Sequence, residues 1–154
     1  MFHLIPAPIH RAALRLAHQL RKIWWRWRKP EIAGVGILIV NRLSQVLLVC
    51  HSYERHRWTL PGGGIGRGEL PLDAAARELS EELGLQQQDF ALVGVDKRML
   101  YGARCITHVF TCEITGSPRP DGREVTEARF FDAEQLPPYR SRMVDKAIAM
   151  LEQG

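Results

Sequence analysis

Apolar residues recur at steps of three and four over residues 9–27. Ile9, Ala13, Leu16, Leu20, Ile23 and Trp27 make one stripe, and Arg11, Arg15, His18, Lys22 and Arg26 occupy other faces. That period predicts an amphipathic helix. Pro30 ends it, because the residue before a proline is pushed out of the helical region. The pattern then changes to β-branched runs over 32–40 and 46–50, which predict two buried strands joined by a turn at 41–44. Residues 51–57 form a polar loop and 58–68 a glycine-rich one. The helical period returns over 71–83, with Pro71 at the first helical position and Gly84 at the C-terminal cap. Leu72, Ala75, Ala76, Leu79 and Leu83 form its apolar face. Strand-like stretches follow at 91–95, 99–101, 108–114 and 128–131, with a proline-bearing loop at 116–122 and a last helix over 141–153. Strands and helices mix without regular alternation. The expected fold class is therefore α/β, a mixed sheet with helices on both faces.

Composition narrows the function classes. A chain of 154 residues, 45% apolar and 25% charged, suits one domain with a real core and no need of staples. Cys50, Cys105 and Cys112 are few, odd in number and lack CxxC spacing, so neither a disulfide framework nor a cysteine zinc site is supported. Reduced thiols in a cytosol fit best. No apolar run approaches the ~20 residues that span a bilayer.

Charge is unevenly spread. Residues 1–30 carry +7 with no Asp or Glu, and residues 31–154 carry −3. The net +4 therefore belongs to a basic N-terminal arm and does not describe the rest of the chain. Four readings of the arm stay open. Its stripe can pack on the domain or on a second subunit as a homodimer. Residues 9–29 can lie on an anionic membrane surface, since Trp24, Trp25 and Trp27 beside cations suit an interface. They can bind RNA, where aromatics interleaved with cations also serve. An Arg-rich, acid-free segment also has the character of a cleaved organellar presequence.

The chemistry concentrates in residues 63–85. Glu78, Glu81 and Glu82 sit at i, i+3 and i+4, on the side away from most of the apolar face. Like charges at that spacing repel by a few tenths of a kcal/mol per pair. A hard divalent cation with oxygen ligands would resolve the conflict. Arg77, four residues before Glu81, can pair with it. Glu69 closes the glycine-rich loop and can reach the helix start. The glycines let the backbone turn tightly and approach a metal or phosphates.

This stretch resembles the Nudix box, G-x5-E-x7-R-E-U-x-E-E-x-G-U with U aliphatic. Gly63, Glu69, Arg77, Glu78, Leu79, Glu81, Glu82, Gly84 and Leu85 match all nine fixed positions within 23 residues. The lead-in from Trp58 to Gly63 and the elements after the box are also similar to that family, over 31–153. The resemblance implies an α/β/α sandwich over 31–154, with 1–30 as an added basic amphipathic helix. It implies Mg²⁺- or Mn²⁺-dependent hydrolysis of a nucleoside diphosphate linked to another group, by water attack on phosphorus. A nucleoside triphosphate or dinucleoside polyphosphate is the favoured substrate type.

By position, Glu78, Glu81, Glu82 and the Gly62 carbonyl resemble metal ligands. Arg77 resembles the partner that orients Glu81, with Glu69 and Gly63 in support. The general base varies in the family: a box glutamate such as Glu81, or an acid from a later loop, here Glu124 with Glu127 behind it. Arg55 and Arg57 are candidates for substrate phosphates. Tyr101 resembles the marker of the dinucleoside-polyphosphate subgroup. The alternative is a non-catalytic module of the same fold that holds RNA or an anionic membrane through the arm.

Overall fold

A computed structural model describes residues 7–28, 31–86, 89–114 and 116–154. The elements in chain order are α1 (Ala7–Arg28), β1 (Glu31–Ile39), β2 (Gln45–His51), β3 (Trp58–Thr59), α2 (Pro71–Leu83), β4 (Ala91–Leu100), β5 (Ala103–Cys112), β6 (Val125–Asp132) and α3 (Arg142–Gln153). Pro30, expected to end the first helix, and the side chains of Trp25 and Trp27 lie outside the described residues.

The expected mixed sheet is present, divided in two. One sheet has the order β1-β5-β4, with β1 parallel to β5 and β4 antiparallel to it. The other, β3-β2-β6, is antiparallel. The β1–β2 connection joins them. Asn41 Oδ1 accepts from the Leu43 and Gln45 N–H groups there, an Asx turn that offers the backbone a local partner. The stretches expected separately at 91–95 and 99–101 are one strand, β4, irregular between Leu92 and Gly94. Its polar middle survives as strand because Lys146 of α3 reaches Asp96 at 2.6 Å.

β1 from Val35 onward and β2 from Val46 onward are buried on both faces, which is why they read as continuous apolar runs. Successive side chains point to opposite faces. Ile37, Ile39, Leu47 and Val49 meet Ala75, Leu79 and Leu83 of α2 on one side. Leu38, Val46 and Leu48 meet Val144 and Ala147 of α3 on the other. The result is helix, sheet, helix.

The ends of α2 follow the sequence. Leu70 is extended before Pro71, and Gly84 takes a left-handed φ of 65°. From there the Gly84 N–H returns to the Ser80 carbonyl at 3.0 Å. Its inner face differs from expectation, however. Leu72 is 43% exposed, while Glu78 and Glu82 are among the buried residues.

α1 overturns one expected packing. Its stripe does not face the domain. Arg15, His18 and Lys22 do: Arg15 Nε donates to the Ser52 carbonyl at 3.0 Å, His18 stacks on Tyr53 at 4.6 Å, and Lys22 lies 5.1 Å from the Tyr101 ring centre. The domain offers carbonyls and rings there, which suit cations better than leucines.

The two-sided core predicts the effect of a single truncation. Leu47 is fully buried. Leu47→Ala should lower unfolding stability by about 2–5 kcal/mol, seen as a lower denaturant midpoint at unchanged m-value. A midpoint equal to wild type would contradict the packing described.

Candidate active site

Arg77, on the second turn of α2, organises its surroundings. A guanidinium has five N–H donors in a fixed plane, and all of them are used. Nε reaches Glu69 Oε1 at 2.8 Å, and one Nη reaches Glu69 Oε2 at 3.0 Å and the Gly64 carbonyl at 2.9 Å. The other Nη reaches Glu78 at 2.8 Å and Glu81 at 3.2 Å. The Arg77 fork and the Gly66 N–H, 2.6 Å away, hold the Glu69 carboxyl down at about 2. The five bonds tie the glycine-rich loop to the helix.

That loop runs along the free edge of β1. Val35 N–H donates to the Gly63 carbonyl at 2.8 Å, Ile37 N–H to Pro61 at 2.9 Å, and Ile65 N–H to Ala33 at 3.0 Å. Gly62 and Gly63 are required by space. A Cβ on Gly62 would strike the Val35 carbonyl, at a φ of 142°, and one on Gly63 would strike the Glu78 carboxylate. The carbonyls of Pro61, Gly63 and Gly64, on either side of Gly62, are taken by Ile37, Val35 and Arg77.

The loop closes over two acids. Glu78 and Glu82 are only 8% and 2% exposed, whereas the Glu81 side chain is 61% exposed. Burial pushes the Glu78 carboxyl up, against the pull of Arg77. Burial pushes Glu82 well up, opposed by the Gly62 N–H at 3.0 Å and reinforced by the charges of Glu78, Glu124 and Asp121. His51 Nδ1 stands 3.7 Å from Glu82, beyond hydrogen-bond reach. Burial holds this imidazole down at about 4, so it is neutral.

A second loop completes the rim. Asp121 accepts the N–H groups of Arg123, Glu124 and Val125 at 2.8–3.1 Å, while its own N–H reaches the Glu82 carbonyl at 3.0 Å. Ser52 N–H donates to the Glu124 carbonyl at 2.8 Å. These bonds set Glu124 opposite α2. A hollow of about 150 Å³ lies between, bordered by Glu78, Glu82, Glu124, His51 and Tyr53, with His18 and Arg21 of α1 above. It continues past Gly62–Gly64 into a cleft of about 290 Å³ that Arg21, Arg57 and Arg98 border.

The structure thus brings together Gly62, Gly63, Glu69, Arg77, Glu78, Glu81, Glu82 and Glu124. Arg57 borders the cleft while bonded to Glu54 at 2.7 Å. Arg55 is exposed outside both hollows. Tyr101 sits in the β4–β5 turn at a φ of 51°, outside both. Glu127 is an exposed residue of β6. Sequence reasoning missed His18 and Arg21 of α1, His51 and Tyr53 at the end of β2, Arg98 of β4, and Asp121 of the loop before β6. Only Asp121 carried a local signal, an Asp before Gly in a loop.

The donor set fits a hard divalent ion. It is all oxygen, two of its carboxylates are buried, and burial raises the cost of leaving them charged and uncompensated. Among the described residues, no three His, Cys, Asp or Glu side chains already converge as a closed cage. Arg77 bonds Glu78 and Glu81, and the Gly62 N–H bonds Glu82.

A family model for the NUDIX domain matches residues 30–151. The chain belongs to the Nudix family. An RNA pyrophosphohydrolase of Tolumonas auensis is 44% identical over 67 residues, which are 44% of this chain and 38% of that protein. One of Proteus mirabilis is also 44% identical over 67 residues, with the same shares. The chain thus spans under two-fifths of the length of these curated relatives. Among solved structures, a MutT NUDIX hydrolase from Burkholderia pseudomallei superposes with a TM-score of 0.72 at 25% identity, over 80% of this chain and 99% of that one. A MutT protein from Methanosarcina mazei Go1 gives 0.68 at 25%, over 82% and 96%.

The contact between Gly63 and Glu78 supplies a test within this Nudix site. Mg²⁺ or Mn²⁺ should raise the melting temperature of the wild type, as any ligand of the folded state does. Gly63→Ala should lose most of that rise, because the new methyl displaces the Glu78 carboxylate. An undiminished rise would show that the close approach is irrelevant to ion binding.

Proposed function

We propose that the chain is a Nudix pyrophosphohydrolase: it cleaves the phosphoric anhydride of a nucleoside diphosphate linked to another group, with Mg²⁺ or Mn²⁺. The observation that carries this reading is the Arg77-bound set of Glu69, Glu78 and Glu81, beside the buried Glu82, under a glycine-rich loop. Two acids kept buried serve a chemical purpose better than a structural one. For that reason the non-catalytic module is the weaker alternative.

Glu78, Glu82, the outward Glu81 and the Gly62 carbonyl would hold the ion. It would neutralise charge on the pyrophosphate and favour ionisation of the attacking water. Arg77 aims Glu78 and Glu81, and Glu69 in turn fixes Arg77. Glu124, across the hollow, takes the proton as water oxygen bonds to phosphorus and the bond from phosphorus to the bridging oxygen breaks. Arg57 and Arg98, with Arg21, bind phosphate oxygens along the cleft. Phosphoryl transfer depends mainly on such positioning and charge stabilisation.

The substrate belongs to the phosphoric anhydrides of nucleotides. Likeness to proteins named RNA pyrophosphohydrolase supports including 5′-triphosphate RNA with nucleoside triphosphates and dinucleoside polyphosphates in the panel to be assayed. Phosphate or nucleotide release should require the divalent ion and stop with chelator. Glu81→Gln and Glu82→Gln should each lower kcat at least ~10²-fold, as loss of held charge stabilisation does. Turnover near wild type in both variants would overturn the metal-site assignment.

A further inference from the structure

The outward face of α1 has no cover among the described residues. Ile9, Leu16, Leu20, Ile23 and Trp24 are 54–63% exposed. At about 100° per residue they fall in one arc, centred near Leu20, along a 22-residue helix. Five large apolar side chains in one stripe are beyond the scattered surface apolars that need no explanation. The helix cannot simply roll to bury them. Its opposite face is engaged: Arg15 with the Ser52 carbonyl, His18 on the Tyr53 ring, Lys22 over the Tyr101 ring.

Charge selects the occupant. The first 30 residues hold seven cations and no acid. A second copy docking face to face across a two-fold axis would bring two +7 arms together, which is repulsive. RNA offers phosphates, which need the cations, yet Arg15 and Lys22 are turned into the domain and the free face is apolar. A bilayer with anionic headgroups satisfies both features at once. Its acyl boundary takes the apolar arc, and its surface potential attracts the arm, about 1 kcal/mol for each nearby Lys or Arg. Trp24 at the edge of the arc has the amphipathic ring that favours the headgroup level. Among the described residues no helix is long and apolar enough to cross a membrane.

From these observations we infer that α1 is an interfacial anchor, lying flat on an anionic lipid surface through Ile9, Leu16, Leu20, Ile23 and Trp24. Leu14, His18 and Arg21 on its inner side border the hollow of the carboxylates. The anchored enzyme therefore holds the mouth of its site about one helix diameter, ~10–12 Å, from the headgroups. The anchor stands independently of the reaction proposed above.

The test uses the full chain and two kinds of vesicle, phosphatidylcholine alone and phosphatidylcholine mixed with phosphatidylglycerol. The wild type should float with the mixed vesicles, with a blue shift in tryptophan emission, and bind phosphatidylcholine alone far more weakly. Leu16→Glu combined with Leu20→Glu should weaken binding to the mixed vesicles at least ~10²-fold, since two buried leucines become charged. Hydrolysis of a soluble nucleotide by this variant should be unchanged, which separates failure of the anchor from failure of the site. Three results would overturn the inference: no vesicle binding by the wild type; binding undiminished in the double variant; or, without vesicles, a wild-type dimer that the double variant converts to monomer. RNA binding lost in the double variant alongside absent vesicle binding would assign the face to nucleic acid instead.

Discussion

The site depends on the guanidinium of Arg77. Its five donors meet three carboxylates and one carbonyl, drawn from the glycine-rich loop and from two turns of α2. Without that charge Glu69, Glu78 and Glu81 would repel one another, and the loop would lose most of its bonds to the helix. A lysine could not replace it, since an ammonium has three donors and no planar fork. The same residue explains why the acids can be crowded before any ion arrives.

The second constraint is space. Glu78 lies directly beneath loop backbone, because Gly63 leaves nothing between the two, and Glu82 beside it receives the Gly62 N–H. The loop can sit there because it borrows the free edge of β1 for its own N–H and C=O groups. β1 in turn is rigid because both its faces are packed, by α2 and by α3. Core packing, edge pairing and the carboxylate cluster are thus consecutive links of one chain of support. Glu82 is where stability is given up, its carboxyl pushed up by burial with a single backbone N–H against it.

What the sequence made legible was local. The span of α2, its Pro71 start and Gly84 end, and the partnership of Arg77 with Glu81 all follow from spacings of a few residues. The inward turn of Glu78 and Glu82 was not legible, because a helical wheel ranks Leu72 above a glutamate for the core. The decision came from a glycine loop that makes the inner side polar and close. β4 looked like two strands because Asp96 breaks its apolar pattern, and the partner that rescues it, Lys146, is 50 residues away. The stripe of α1 was plain, but its direction was not. Orientation depended on a carbonyl at Ser52 and rings at Tyr53 and Tyr101. His51, Arg98 and Asp121 were invisible as site residues for the same reason: each reaches the hollow or its cleft from a different element.

Arg77 and the glycine loop assemble the carboxylates that are proposed to hold a divalent ion. Crystals soaked in Mn²⁺ and measured for anomalous scattering test that proposal without relying on turnover. A strong anomalous peak is expected at the carboxylates of Glu78 and Glu82 beside the Gly62 carbonyl, absent from crystals of Glu82→Gln. No peak there at saturating Mn²⁺, or an equal peak in the variant, would contradict it.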